Sequence, residues 1–216
     1  MFNGYYRTRF AYDRNRQLVW KEIANYLKKF IPEEGTVLDL GAGYCDFINQ
    51  IKARKRYALN TSSFLSKYAA DGVKFVMGKA GEKLAEFEDV SIDVVFSSNF
   101  LEHLKWPEIE EITAQVRRIL VYGGRWIIVQ PNFKYAYRSY FDDFTHRTIF
   151  TETSLSDYLV NASFILEQKV ARFLPLSFHS RLPKWPFLVR VYLRLPCRIF
   201  ARQMLIIVRK EKDVAK

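Results

Sequence analysis

From Thr36 onward, short apolar runs rich in β-branched residues alternate with stretches of helical spacing, and this rhythm limits the fold more than any other feature of the chain. The runs are Thr36–Leu40, 56–59, Val73–Met77, 92–97 and 125–130, with helical patterns at 47–53, 63–70 and 109–120. Strands joined through crossover helices lie parallel, so the pattern predicts a doubly wound α/β sheet. Tyr122, Gly123 and Gly124 read as the stop of the third helix. A helix over 154–161 follows, then strand-like runs 164–173 and 203–209, a hairpin-like pair split by a long insertion. The expected fold is α/β: a seven-stranded, mainly parallel sheet with an amino-terminal helix in 13–30 and a basic helical insertion before the last strand. No repeat or linker divides it. The chain reads as one domain, with 1–34 as cover, 35–174 as core, 175–201 as insertion and 202–216 as last strand and tail.

With 49% hydrophobic and 16% aromatic residues in 216, the composition excludes a disordered or low-complexity chain. Two cysteines, Cys45 and Cys197, are too few for a disulfide framework, and the start shows no signal-peptide pattern, so a cytoplasmic setting is expected. No apolar run approaches the roughly 20 residues of a membrane span. The formal charge of +11 is uneven: 1–30 carry +5, 31–168 carry −4 and 169–216 carry +10. The excess lies in the flanks, as a solvated face or as attraction to phosphate-bearing partners.

The segment VLDLGAGYCDF (Val37 to Phe47) places Asp39 in the first strand and Gly41 and Gly43 in the turn after it. Glycine suits a turn where a ligand approaches the backbone or φ is positive. A pyrophosphate fingerprint wants a third glycine where Asp46 stands, so a nicotinamide or flavin dinucleotide is disfavoured. Together with SIDVVFSSNFLEHL (Ser91 to Leu104) and GGRWIIVQPNF (Gly123 to Phe133), this loop resembles class I S-adenosylmethionine-dependent methyltransferases over roughly 35–170. The stretches YYRTRFAYDRNRQLVW and SYFDDFTHR are similar to methyltransferases of polysaccharide and glycolipid biosynthesis.

The resemblance implies a Rossmann-like methyltransferase fold with S-adenosylmethionine as cofactor. Asp39, Gly41 and Gly43 would surround its methionine part and ribose, Ala80 would lie by the adenine, and Ser98 and Asn99 beneath the methyl group. Arg9 would reach its carboxylate. Three departures stand out: Cys45 replaces a third glycine and narrows the room, Lys79 replaces a small or acidic residue, and Asn60 replaces the ribose-binding acid. Loss of charge-assisted bonds at Asn60 is expected to weaken the cofactor by ~1–2 kcal/mol.

Polar residues just after strands four and five stand at the ligand-binding end of such a sheet. His103 and Glu102 follow strand four; Asp142, Asp143 and His146 follow strand five. A hydroxyl acceptor needs a base. His146, oriented by Asp142 or Asp143, is the expected one and His103 the second candidate. The aromatic side chains of Tyr135, Tyr137, Tyr140, Phe141 and Phe144 form either an acceptor surface or a packed lid. Paired histidine and cysteine spacings are lacking, so no metal is expected.

In the insertion, Arg190, Arg194, Arg198 and Arg202 recur every four residues beside Trp185, Phe187, Tyr192 and Phe200, while Pro196 must break the helix into two. The pattern fits an interfacial helix that binds an anionic membrane through Arg190, Arg194 and Arg198, or an amphipathic cover with arginines in solvent. The reading is O-methylation of a saccharide or lipid-linked glycan, by a cytoplasmic enzyme at the inner membrane face. An RNA methyltransferase, using the basic flanks on nucleic acid, and a catalytically inactive binding protein are the alternatives.

Overall fold

The computed structural model describes residues 8, 10–175, 185–195 and 198–212. Seven strands form one sheet: β1 (Thr36–Leu40), β2 (Lys55–Asn60), β3 (Val73–Met77), β4 (Ile92–Ser98), β5 (Leu120–Pro131), β6 (Phe164–Leu174) and β7 (Gln203–Lys210). Their order is β3-β2-β1-β4-β5-β7-β6. β1 to β5 pair in parallel, and β7 enters antiparallel between β5 and β6. The helices are α1 (Asn15–Leu27), α2 (Ala80–Leu84), α3 (Trp106–Ile119), α4 (Phe133–Ala136), α5 (Glu152–Asn161) and α6 (Pro186–Arg194).

Alternation along the central strands sorts the core into two layers. Val37, Phe96 and Ile127 face one way and pack with Ile23 and Leu27 of α1 and Leu193 of α6. Leu38, Val95 and Trp126 face the other way, onto Ile109 and Val116 of α3 and Leu155 and Leu159 of α5. Both sheet faces are therefore covered, as parallel strands buried on two sides require. The Lys210 amine, itself buried, donates to the carbonyls of Leu120 (2.7 Å) and Arg118 (3.3 Å), capping the end of α3 with a positive charge.

Several elements differ from the sequence expectation. The helical patterns at 47–53 and 63–70 yield only 3-10 turns, Ile48–Gln50 and Ser63–Tyr68. The Asn49 side chain explains the difference. It donates to the Tyr68 carbonyl and accepts from the Ala70 amide, clamping two segments too short to sustain an isolated helix. Gly123 does not end a helix: α3 stops at Ile119 and β5 begins at once, with Gly123 at φ +81° inside a register shift against β4.

The insertion departs most. Pro186 opens α6 as expected, but only one helix forms among the described residues, and the arginines do not make a common outward stripe. Arg190, itself half exposed, holds Glu22 of α1 in a bidentate pair, both contacts 2.8 Å, with the Glu22 side chain only 3% exposed. Arg198 is buried and donates to the carbonyls of Leu193, Tyr192 and Arg172. Burial thus withdraws Arg198 from the membrane-binding set, whereas Arg190 stays exposed while paired with Glu22. Arg190→Ala is expected to lower Tm by stranding the Glu22 carboxylate, and Arg190→Lys to recover only part, since a single ammonium cannot fork; thermal denaturation of the two variants checks this.

Candidate active site

The loop after β1 is shaped by backbone. Gly41 and Gly43 take φ +77° and +52°, and the amides of Gly41 and Ala42 both donate to the Leu59 carbonyl at the end of β2 (3.0 and 3.1 Å). A Cβ at Gly41 would lie 2.7 Å from the Phe100 ring, and one at Gly43 2.9 Å from Phe10. Cys45 also holds a positive φ, +58°, the conformation that a third glycine would supply. Its side chain is packed in the core with Phe47 and Val94, so it does not narrow the site as the sequence reading expected. Burial, aided by Asp39 and Asp46, pushes its thiol up to about 12. Burial likewise pushes the Asp39 carboxyl to about 8, against a hydrogen bond from the Ile48 amide.

Asp39, Gly41 and Gly43 line a cavity of about 1280 Å³ together with Asn60, Ala80, Ser98 and Asn99. This exceeds the ~300–1,000 Å³ usual for one small ligand, leaving room for two reactants side by side. At Asn60, Oδ1 accepts from the Ser62 amide (3.2 Å), so the side-chain NH2 is the group left for a ligand, a donor where an acceptor of ribose hydroxyl protons would serve better. Asn60→Asp keeps the Ser62 contact and adds a charged acceptor. It is expected to tighten S-adenosylhomocysteine about tenfold, ~1–2 kcal/mol, by titration calorimetry. Lys79 points away, its ammonium 3.7 Å from Glu82 in solvent. Asn99 sits at φ +49°, which asparagine tolerates, and its Oδ1 accepts from Gln203 Nε2 at 2.7 Å, fixing it from the antiparallel strand β7.

Arg9 lies outside the described residues. The arginine found at the glycine loop is Arg16, whose guanidinium is 2.9 Å from Asp46 and 4.2 Å from the centre of the Phe10 ring, all three lining the cavity. Burial draws the Arg16 pKa down and the Asp46 pKa up, although each charge counters the other's shift. Sequence reasoning missed Arg16. Its signal was position: a basic residue in the first turn of a helix opposes the helix dipole and needs another reason to be there.

The facing wall comes from the ends of β4 and β5. Thr145 Oγ1 donates to Asp143 Oδ1 (2.6 Å) and lies 2.8 Å from His103 Nδ1. With the hydroxyl proton on the carboxylate, Thr145 Oγ1 is left to accept from His103 Nδ1. Burial, with His146 adding, pushes the His103 pKa down to about 4, so the ring is neutral near pH 7. Burial alone would raise Asp143; hydrogen bonds from Thr145 and the nearby imidazoles hold it below its ordinary value. The carboxylate reaches His103 through a threonine that sequence reasoning passed over, while His146, which the sequence reading paired with Asp142 or Asp143, lies on the same wall and lowers the Asp143 pKa by its charge. His146 packs against Tyr140, ring centres 4.5 Å apart, and His103, 5.0 Å. Asp142 lines the same cavity. Of the aromatic residues, Tyr140 is fully buried with its hydroxyl on the Thr148 carbonyl (2.5 Å), whereas Phe144 is exposed at the cavity.

This arrangement, a parallel sheet with an antiparallel seventh strand and a two-glycine loop over a two-reactant cavity, has known counterparts. Residues 38–128 match the family described as "Methyltransferase domain". A SAM-dependent methyltransferase from Archaeoglobus fulgidus superposes with a TM-score of 0.69 at 20% identity, over 96% of this chain and 98% of that one. The Haloferax volcanii methyltransferase in complex with the activator Trm112 gives 0.68 at 17% identity, over 94% and 95%. Geranyl diphosphate methyltransferase in complex with SAM gives 0.63 at 14% identity, over 88% and 85%. No curated protein sequence matches. The fold is thus the Rossmann-like methyltransferase fold, with residues 38–128 similar to a methyltransferase domain. The glycine backbone and the polar groups lining the cavity fit S-adenosylmethionine as the cofactor that such a domain takes.

Proposed function

We propose that the chain works as one catalytic unit, with 35–174 as its cofactor core, and transfers the methyl group to a hydroxyl of a saccharide or lipid-linked glycan. The observation that carries this is the Asp143–Thr145–His103 hydrogen-bond chain on the wall of the cofactor cavity. A hydroxyl is a poor nucleophile until its proton is drawn off, and a neutral imidazole held in one tautomer by a carboxylate serves that purpose. Asp39, Gly41, Gly43, Asn60 and Ala80 hold the cofactor, with Arg16 near its carboxylate and Ser98 and Asn99 below the methyl. His103 engages the acceptor oxygen; Asp143 and Thr145 position it, and His146 and Asp142 complete the wall.

Exposed Phe144, Ile199 and Phe200 beside the cavity suit sugar faces or a lipid chain. Among the described residues no helix is long and apolar enough to cross a membrane. Contact with an anionic bilayer falls to α6, where Trp185 and Phe187 are each 68% exposed and Arg194 is exposed beside them.

The test is incubation of the protein with methyl-labelled S-adenosylmethionine and, separately, polyprenyl-linked saccharides, free oligosaccharides, RNA and amines. Label in an ether of a saccharide or glycolipid supports the reading. Label confined to RNA or amines overturns it.

A further inference from the structure

The spacing of histidines and cysteines along the chain gave no reason to expect a metal, but the fold brings together residues the spacing keeps apart. One carboxylate oxygen of Glu102 and one ring nitrogen each of His103 and His146 lie within 4.8 Å of one another. The convergence is built: the Glu102 backbone carbonyl accepts from the amides of Arg147 (2.7 Å) and Thr148 (3.1 Å), pinning the His146 loop onto the end of β4. Glu102 is fully buried; the Glu102 and Phe100 amides lie near its carboxylate, but among the described residues no side chain donates to either oxygen. A carboxylate in that state is costly unless something else satisfies it. His103 already has the outer support of a metal ligand, its Nδ1 tied to Asp143 through Thr145.

We propose that Glu102, His103 and His146 bind a divalent first-row cation, Zn2+ being the natural probe, with an open coordination position toward the acceptor side of the cavity. Two imidazoles and one carboxylate form the donor set of catalytic zinc sites and of open facial triads. Bonds of ~2.0–2.1 Å place ligand atoms roughly 3.3 Å apart, so binding draws the three side chains together by up to ~1.5 Å. The use of the cation rests on the hydroxyl-acceptor reading: the acceptor oxygen takes the open position and becomes more acidic, and its proton leaves to water. That oxygen then bonds to the methyl carbon, and the S–CH3 pair stays on sulfur to give S-adenosylhomocysteine. The metal does not change oxidation state.

The experiment uses the full chain without an affinity tag, stripped with chelator and titrated with Zn2+ and with Co2+. One equivalent per chain, a cobalt d–d spectrum and a raised Tm are expected. Glu102→Gln and His146→Ala should each weaken Zn2+ at least tenfold while S-adenosylhomocysteine affinity stays unchanged. Glu102→Gln should keep the metal-free fold, since the amide matches the shape without the buried charge. Absence of stoichiometric Zn2+ and Co2+ binding by the wild-type chain overturns the proposal, as does binding that both variants retain. Metal bound without transfer to any hydroxyl would sink the acceptor reading and leave the site standing; O-methylation by metal-free protein would remove the catalytic use of the cation.

Discussion

Gly41→Val is expected to weaken S-adenosylhomocysteine binding roughly 100-fold, ~3 kcal/mol, in titration calorimetry. Two costs combine. Gly41 holds φ +77°, where a residue with a Cβ pays ~1–2 kcal/mol and a β-branched one more. The new Cβ would also stand 2.7 Å from Phe100, a ring that lines the cofactor cavity, so relief of the clash pushes either the loop or the ring into the ligand's space. Gly123→Ala separates the two costs. Gly123 has nearly the same φ, +81°, with nothing within 4 Å of an added Cβ, and it lies in the β5 bulge away from the cavity. That variant should lower Tm and leave cofactor affinity as it was. Equal affinities for Gly41→Val and wild type would show that the glycine turn does not approach the cofactor.

The sheet was legible because its central strands are buried on both faces and read as short apolar runs rich in β-branched residues; Thr36–Leu40 coincides with the fully buried β1, and Val73–Met77 with β3, an edge strand that keeps the composition although none of its residues is buried. The connections were less so, because apolar spacing at 47–53 reflects burial of Phe47 and Ile48 in the core rather than a helical face. The glycine loop was legible for a local reason, since its φ values are intrinsic to the residue type. Long-range polar contacts leave no such trace. Thr145 meets His103 across 42 positions, and the Arg190–Glu22 pair spans 168. A four-residue repeat of arginines looks the same whether the charges face solvent or a buried glutamate. Cys45 shows the converse: its departure from glycine is visible, but whether the side chain enters the site depends on the turn's exit direction, which only the folded backbone decides.

His103→Ala is expected to lower kcat by ~10²–10⁴ on the hydroxyl acceptor identified as above, whether the ring draws the proton off itself or holds the cation that does. S-adenosylhomocysteine affinity should stay within a factor of about two, because His103 is not among the residues proposed to hold the cofactor. Thr145→Val tests the positioning argument. It nearly preserves volume but removes the hydroxyl that donates to Asp143 at 2.6 Å and receives His103 Nδ1 at 2.8 Å. The carboxylate loses its hold on the tautomer, and a ~10–100-fold loss in kcat with little change in KM follows. Thr145→Ser, which retains the hydroxyl, should restore most of it. A purely structural role would show instead as a shared drop in Tm with proportionate loss of cofactor binding, and serine would offer no rescue specific to turnover. Normal kcat in Thr145→Val would mean that His103 is held by its buried surroundings alone, and the Asp143–Thr145 chain would then have no part in catalysis.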